Sequence, residues 1–226
     1  MSYDINVVCL YHSLSKDKIR KKLKKLKINE HRINFIKGKN YSLSDAPKNY
    51  EFDQYREGVR NVDRCTKTLF INDTAFKYFE YRFLREILED CSIYEFDVPA
   101  IYGLYDPNFF MRTLSHFETL DQRHIRTNMF VVNSAGVDLM EIFLQKKIDM
   151  EIQTAWSAPS DEVFEKFLKV DYHIALNSYL RKKRTIAIEY LLTREFYENG
   201  VIVPTNRSLL RNAKLKLFNF GNRIVK

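Results

Sequence analysis

Residues 68–74, Thr-Leu-Phe-Ile-Asn-Asp-Thr, decide the fold, because a short apolar run stops there at three polar residues. A helical pattern follows at once, with apolar side chains three and four positions apart at Phe76, Phe79, Phe83, Leu84, Ile87 and Leu88. This pattern predicts a buried strand followed by a helix that ends near Asp90. In open α/β sheets, ligands bind beyond the carboxyl ends of such strands, so Asn72 and Asp73 are expected at the rim of a site.

Two roles are open for Asp73. A carboxylate at this rim can hold a divalent cation or a ligand hydroxyl, and the N–H groups of the next helix favour an anion. Alternatively, Asp73 or Thr74 only caps the helix, since both residue types are preferred at helix starts. The two roles are compatible.

The rest of the chain predicts a sheet with alternating helices. Further strands are expected at residues 5–11, 32–36, 98–104 and 129–133, and helices after Ser15, over 50–62, after Ser134, after Ser160 and over 185–199, the last capped by Gly200. Strands that alternate with helices predict a mostly parallel sheet with helices on both faces. The first strand is not followed by GxGxxG, and the chain has no GxxxxGK[ST], so neither a dinucleotide fingerprint nor a P-loop is present.

The charge of the chain indicates a partner of opposite sign. The net charge is +8, and a basic helix follows Ser15, which indicates a polyanion or an anionic membrane surface. The alternative is a solvated helix face that covers the sheet.

The remaining composition points to a cytoplasmic protein. Cys9, Cys65 and Cys91 lack CxxC spacing, which favours reduced and mostly buried thiols. The chain has neither an apolar run of about 18 residues nor a signal-peptide pattern at its N-terminus. We therefore expect it in the cytoplasm or on the inner face of a membrane.

Four segments, taken in order, point to a family. They are residues 50–58 (YEFDQYREG), 70–74 (FINDT), 123–133 (RHIRTNMFVVN) and 188–192 (IEYLL). Together they resemble bacterial polysaccharide glycosyltransferases of the rhamnan-synthesis protein F type, over roughly residues 5–200. The resemblance implies a GT-A-like, Rossmann-type nucleotide-sugar-binding domain over residues 1–205. Residues 206–226 are then a basic amphipathic C-terminal extension.

The resemblance also implies an activity. It is transfer of a sugar from a nucleotide-sugar donor to a cell-surface glycan or lipid-linked glycan acceptor, as in polysaccharide, lipopolysaccharide or O-antigen synthesis. GT-A enzymes hold a metal with Asp-x-Asp at the end of the central strand, where this chain has Asn72-Asp73-Thr74 and a single acid. Asp73, with Asn72 and water molecules, would then hold Mg²⁺ or Mn²⁺ on the donor phosphates, or arginines would neutralise the diphosphate instead.

The implied catalytic residues are Asp73 and a base, His124 or its rival Asp121. The implied nucleotide-sugar-binding residues are His12, Asn40, Glu51, Asp53, Arg56, Asn72, Thr74, Arg123, Arg126 and Asn128. Glu51 and Asp53 suit ribose hydroxyls, and Arg56 suits phosphate. The competing interpretations are an ordinary helix start for residues 50–58 and a surface loop for His124. Glu189 matches a family position, but its spacing predicts an exposed helix charge.

Two other classes of function remain open. The first is a nucleic-acid-binding module, indicated by the charge and by the many aromatic residues. Against it, these aromatics have the spacing of core residues and no nucleic-acid-binding motif occurs, so no nucleic-acid partner is expected. The second is an inactive glycosyltransferase-like subunit, which the missing second acid permits.

Overall fold

The computed structural model of the chain describes residues 3–38, 51–77, 80–107, 123–145 and 176–205. The strands are β1 (Asn6–Tyr11), β2 (Ile33–Lys37), β3 (Thr68–Asn72), β4 (Ala100–Pro107), β5 (Arg123–Val132) and β6 (Val201–Pro204). The α-helices are α1 (Lys16–Lys24), α2 (Glu51–Val59), α3 (Asp73–Lys77), α4 (Leu84–Ile93), α5 (Ser134–Gln145) and α6 (Leu176–Asn199). Short 3₁₀ turns occupy Glu30–Arg32 and Glu80–Phe83.

The six strands form one mixed sheet in the order β2-β1-β3-β5-β4-β6. β1 pairs in parallel with β2 and with β3, and β4 pairs in parallel with β6. β5 lies antiparallel between β3 and β4, so the other five strands run in the same direction. The mostly parallel α/β sheet predicted from the sequence is thereby confirmed, whereas the reversed direction of β5 was not predicted.

Alternate residues of the central strands belong to two separate clusters of buried side chains. Val8 and Phe70 lie in the first cluster, together with residues of α2, α5 and α6. Their neighbours Val7 and Leu69 lie in the second cluster, together with residues of α1, α3 and α4. This alternation follows from the period of two in a strand, which directs successive side chains to opposite faces. The run 69–71 is apolar throughout because both of its faces are covered.

The structure corrects the continuous helix expected after β3. α3 ends at Lys77, and a 3₁₀ turn precedes α4, which begins at Leu84. The apolar spacing is nevertheless correct, since Phe76, Leu84 and Ile87 are buried in the second cluster. The apolar spacing therefore identifies the buried side of this segment, but not the 3₁₀ turn that separates α3 from α4.

The C-terminal part of the described chain differs from the expectation in two respects. α6 begins at Leu176 rather than near residue 185, and β6 follows it directly where no strand was predicted. Gly200 joins them, but its φ is not in the left-handed region expected of a capping glycine. A Cβ at Gly200 would lie 2.1 Å from the carbonyl oxygen of Pro99. Glycine is needed here for this close approach, which lets Val201 N–H donate to the same oxygen.

Several expectations fall outside the described residues. These are the helix after Ser160, the extension 206–226, and the candidate residues Asn40 and Asp121. Within the ranges given above, no helix is both long and apolar enough to cross a membrane. Cys9 and Cys91 are buried as expected, Cys65 is exposed, and all three are free thiols.

Candidate functional site

The candidate site lies at the carboxyl ends of β1 and β3, where the chain leaves the sheet. β3 ends at Asn72, and Asp73 is the first residue of α3. Both side chains are buried although both are polar, so each requires hydrogen-bond partners. These partners come from parts of the chain that are distant in sequence, and they define two adjoining groups of contacts.

The first group is the loop between β1 and α1, which is held by the carboxylate of Asp73. Its Oδ2 atom accepts from the backbone N–H groups of His12 (3.0 Å), Ser13 (2.6 Å) and Leu14 (3.0 Å), and from the Ser13 hydroxyl (2.7 Å). Three successive N–H groups directed at one anion form a concave anion-binding arrangement. In this protein, the anion is the protein's own carboxylate.

These hydrogen bonds decide the charge state of Asp73. Burial alone would raise the pKa of its carboxyl group, but the Ser13 hydroxyl and the N–H groups of Ser13, Leu14 and His12 stabilise the ionised form. The net result is a pKa below the usual value for aspartate. Asp73 is therefore a carboxylate at neutral pH, and one of its oxygens is committed to the loop.

Asn72 makes the bond at the start of α3 that the sequence had suggested for Asp73 or Thr74. The Asn72 Oδ1 atom accepts from the N–H of Thr74 at 3.0 Å, which is the geometry of a helix N-cap. Its Nδ2 atom donates to Oε2 of Glu51 at 2.9 Å. Asn72 thus orients Glu51, the first residue of α2, at the edge of the sheet.

The second group is centred on Thr127 in β5, which is fully buried. The Thr127 hydroxyl lies 3.0 Å from Oε1 of Glu51 and 2.6 Å from Oε1 of Glu189 in α6. Two half-buried carboxylates from different helices therefore converge on one hydroxyl. We refer to Glu51, Asn72, Thr127 and Glu189 as the acidic cluster.

Tyr55 closes the acidic cluster on its buried side. Its hydroxyl donates to the carbonyl oxygen of Thr127 at 2.9 Å, and its ring makes edge contacts with Phe52, Phe70 and Phe130. Burial, followed by the nearby charge of Glu51, raises the pKa of Tyr55 well above its usual value. Tyr55 consequently stays protonated and remains a donor to Thr127.

The other candidate residues lie around these two groups. His12 is exposed, and its ring packs on Gly38 at the end of β2, where a Cβ would lie 2.0 Å from Nε2. Half-buried candidates are Thr74 in α3, Asp53 in α2, and Arg126 and Asn128 in β5, whereas Arg56 in α2 is exposed.

The backbone of β5 also contains Arg123 and His124, whose strand partners are Pro107 and Asp106 of β4. These two residues, expected in the approach to a strand, lie within it. The proposed base His124 therefore belongs to the same strand as Thr127, three residues away along the chain.

The described residues offer a divalent cation little beyond Asp73. No group of three or more His, Cys, Asp or Glu side chains suited to a metal ion occurs among them. All four hydrogen bonds described for the Asp73 carboxylate go to Oδ2, which leaves Oδ1 as the atom for a cation. Mg²⁺ can bind through a single carboxylate together with phosphates, so this donor set fits only a metal that arrives with its ligand.

Sequence reasoning missed two members of the acidic cluster. Thr127 occurs in the sequence-based prediction only as part of residues 123–133, and Glu189 is predicted to be an exposed charge, whereas it is half-buried and bonded to a buried hydroxyl. A signal was present, because Thr185, Glu189 and Thr193 recur every four residues beside the apolar face of α6. Polar residues at that spacing lie along one side of a helix, and Thr193 is also buried, where its hydroxyl accepts from the N–H of Ile125.

Comparison of the chain with protein-family models, with curated proteins and with solved structures gave no match.

Proposed function

We propose that the chain is a glycosyltransferase that moves a sugar from a nucleotide-sugar donor to a cell-surface glycan acceptor. The fold would be a GT-A-like domain with helices on both faces of the sheet, an interpretation supported by the two core clusters. The observation that carries the proposal is the acidic cluster at the carboxyl end of β3, next to the loop bound by Asp73. This edge is where α/β sheets bind nucleotides.

The proposed roles follow from the chemistry of each side chain. Glu51, with Asp53 two residues later, would accept hydrogen bonds from the ribose hydroxyls. Arg56, exposed on the same helix, would pair with phosphate. A base, His124 or Asp121, would remove the proton of the acceptor hydroxyl.

The leaving diphosphate needs positive charge as the bond to the sugar breaks. Basic groups of the site, Arg126 and Arg123 of β5 among them, would provide it as fixed charges, which is the type of stabilisation that contributes most to such reactions. A divalent cation at Asp73, if one binds, would neutralise the same phosphates.

The acceptor and the place of action belong to the same proposal. Acceptors in surface-glycan pathways are carried on membrane lipids, and the basic face of α1 would attract an anionic membrane. Lys18 and Lys21 are exposed on this helix. We therefore propose that the protein acts in the cytoplasm, as a peripheral protein of the inner face of the membrane.

One observation favours a second candidate, an inactive glycosyltransferase-like subunit. Asp73 is the acid that would hold a metal, yet its Oδ2 atom is committed to the β1–α1 loop. Such a subunit would bind the nucleotide without turnover. The nucleic-acid alternative receives less support, because Phe70, Phe130 and Tyr55 are core residues and cannot stack on bases.

A thermal-shift panel tests the proposal. UDP, dTDP, GDP and CMP, each alone and as the corresponding nucleotide sugar, are added with and without Mg²⁺ or Mn²⁺. A ligand that binds only the folded state raises the melting temperature, so one clear hit is expected to identify the donor class. Glu51→Gln should abolish the shift, whereas Glu57→Gln, an exposed residue of the same helix, should leave it unchanged. A flat panel would contradict the proposal, and a shift without sugar transfer would favour the inactive subunit.

A further inference from the structure

Thr127 presents one proton to two carboxylates. Its hydroxyl lies 2.6 Å from Glu189 and 3.0 Å from Glu51, and a hydroxyl can donate to only one acceptor at a time. The shorter distance is typical of a hydroxyl that donates to a charged carboxylate, so Glu189 competes with Glu51 for this proton. The position of Glu51 relative to Thr127 therefore depends on the bond that Glu189 makes.

The hydroxyl is held in place from both sides. Thr127 belongs to β5, its side chain is fully buried, and its carbonyl oxygen accepts from Tyr55. Tyr55 is itself enclosed by Phe52, Phe70 and Phe130. Because neither the backbone nor the side chain of Thr127 has room to shift, a change at Glu189 reaches Glu51 through this hydroxyl and not through movement of the strand.

Glu51 has a second fixed contact, from Asn72 to Oε2. With Thr127 near Oε1 and Asn72 on Oε2, both oxygens of the carboxylate have a defined position. Preorganised acceptors of this kind bind a ligand hydroxyl with less loss of entropy than a mobile side chain does.

We infer that Glu189 is a positioning residue that acts through the Thr127 hydroxyl on Glu51, and that Glu51 is the acceptor for a hydroxyl of the bound nucleotide. The ligand part of this inference rests on the proposed function. The positioning part rests on the contacts alone. Glu189, which lies on α6 about 140 residues from Glu51 in the chain, thereby sets the affinity of a site that it need not touch.

The test distinguishes a role of the Thr127 hydroxyl from a role of the packing of the Thr127 side chain. Thr127→Val keeps the shape and removes the hydroxyl, whereas Thr127→Ser keeps the hydroxyl and removes a buried methyl group. A purely packing role would make the serine variant the more damaging one. The inference predicts instead that Thr127→Val weakens ligand binding more than Thr127→Ser does. Affinity is measured by titration calorimetry on folded protein with UDP, GDP, dTDP and CMP as probes.

We expect Thr127→Val to weaken binding of the best probe about tenfold, as for one lost hydrogen bond to a charged group. Glu189→Gln should instead strengthen binding, because a neutral amide competes less well for the Thr127 proton, which is then free to donate to Glu51. Thr127→Ser should stay within about twofold of the wild type. In the Thr127→Val background, Glu189→Gln should have no further effect, since the connecting hydroxyl is gone. Equal affinity of the wild type and Thr127→Val would overturn the inference.

A measurement without ligand distinguishes failure of this inference from failure of the proposed function. The denaturation midpoints of Thr127→Val, Glu189→Gln and Glu51→Gln are compared with those of the double variants that include Thr127→Val. Residues that share one hydrogen-bonded group are expected to be non-additive. If the changes in denaturation midpoint of the single variants add up to that of the double variant, the positioning role of Glu189 is overturned, whatever the ligand-binding measurements show. Non-additive midpoints with no binding probe overturn the proposed function and leave the positioning role standing.

Discussion

The carboxylate of Asp73 connects two distant parts of the chain. It accepts a hydrogen bond from the N–H of His12, which lies 61 positions earlier in the sequence. The sequence suggested a cap or a metal ligand at this position, and the structure assigns Oδ2 to neither. It stabilises the β1–α1 loop through four donors, and the low pKa of the group results from these same donors. A loss of activity on mutation of Asp73 is therefore expected to include a loss of loop structure.

At neutral pH, Asp73→Ala should lower the free energy of unfolding by about 2–3 kcal/mol, because hydrogen bonds to a charged group are lost while the exposed N–H groups regain water. Urea denaturation measures this. Asp17→Ala is the control, since Asp17 is an exposed carboxylate that pairs with Arg20 at 3.0 Å, and it should change stability by less than about 0.5 kcal/mol. Equal stability of the wild type and Asp73→Ala would contradict the role in the loop.

The same residue predicts a pH dependence. The pKa of Asp73 is lower in the folded state than the value of about 3.9 for an unfolded aspartate. Its contribution to stability is then complete above about pH 5 and is lost as the pH falls through the folded pKa. Asp73→Asn, measured in urea from pH 7 to pH 2.5, should lose less stability on acidification than the wild type. Parallel curves for the two proteins would mean that Asp73 is not the group that titrates.

Tyr55 gives a second prediction for a single residue. Tyr55→Phe removes the hydroxyl that donates to Thr127 and leaves a buried carbonyl oxygen without that donor, which should cost about 1–2 kcal/mol. Tyr197→Phe is the matched control, because Tyr197 is 61 % exposed. Chemical denaturation compares the two variants, and equal midpoints would show that the Tyr55 hydroxyl contributes nothing to stability.

Among the connections between elements, the side-chain amide of Asn133 makes four described hydrogen bonds. Its Oδ1 atom accepts from the N–H groups of Ala100 and Gly136, both at 2.8 Å. Its Nδ2 atom donates to the carbonyl oxygens of Phe96 and Val98 at 2.9 and 2.8 Å. One amide thereby fixes the start of β4, the start of α5 and the segment before β4.

Asn133→Ala should therefore destabilise the protein by about 2–4 kcal/mol, because it leaves buried N–H groups unpaired. Hydrogen exchange should show the effect locally, as faster exchange of the amides of Ala100 and Gly136. Asn61→Ala is the control, since the Asn61 amide donates in an exposed position to the carbonyl oxygen of Glu57. Unchanged exchange at Ala100 in Asn133→Ala would refute this account.

The elements show which parts of the fold can be predicted from the sequence and which cannot. β1, β3 and the start of α1 at Ser15 were predicted, because apolar runs and capping residues are local signals. The direction of β5 has no such signal, since a strand alternates in the same way whether its neighbour is parallel or antiparallel. β6 was missed because Val201-Ile202-Val203 is short and directly follows a long helix.

The candidate site was predictable only in part for a related reason. Asn72 and Asp73 were found because they end a recognisable strand. Glu51 came from the family resemblance. Thr127 and Glu189 are brought to Glu51 by pairing of β5 with β3 and by packing of α6. The spacing of polar residues in α6 indicates a polar side of the helix, but it does not identify partners that lie 62 and 76 positions apart in the chain. The convergence of the acidic cluster is thus a property of the folded sheet.

For the whole molecule, the net charge of +8 is the feature most relevant to its surroundings. Several of the basic residues of α1 are engaged locally; for example, Lys22 lies 4.4 Å from the centre of the Tyr81 ring and Lys16 lies 5.0 Å from that of Phe35. Lys18 and Lys21 are exposed on the same helix.

We predict weak binding to vesicles of phosphatidylcholine with 30 % phosphatidylserine or phosphatidylglycerol, measured by co-sedimentation. The bound fraction should fall as salt rises from about 0.05 to 0.5 M, because screening shortens the range of the attraction. The double variant Lys18→Gln/Lys21→Gln should weaken binding more than the control double variant Arg60→Gln/Arg85→Gln, which removes the same charge outside α1. Equal binding of these two variants would show that α1 does not contribute to vesicle binding. No binding at low salt would contradict the proposed interaction with a membrane.

The bonds to Asp73 also set an order of events during synthesis of the protein. At about 5–20 residues per second, Asp73 is added roughly 3–12 seconds after His12, which lies 61 positions earlier. Until then, the N–H groups of the β1–α1 loop have only water as a partner, although β1 and α1 have already been made. The nascent N-terminal segment therefore cannot acquire its final loop before β3 has left the ribosome, and the proposed nucleotide site is completed later still, when Glu189 arrives.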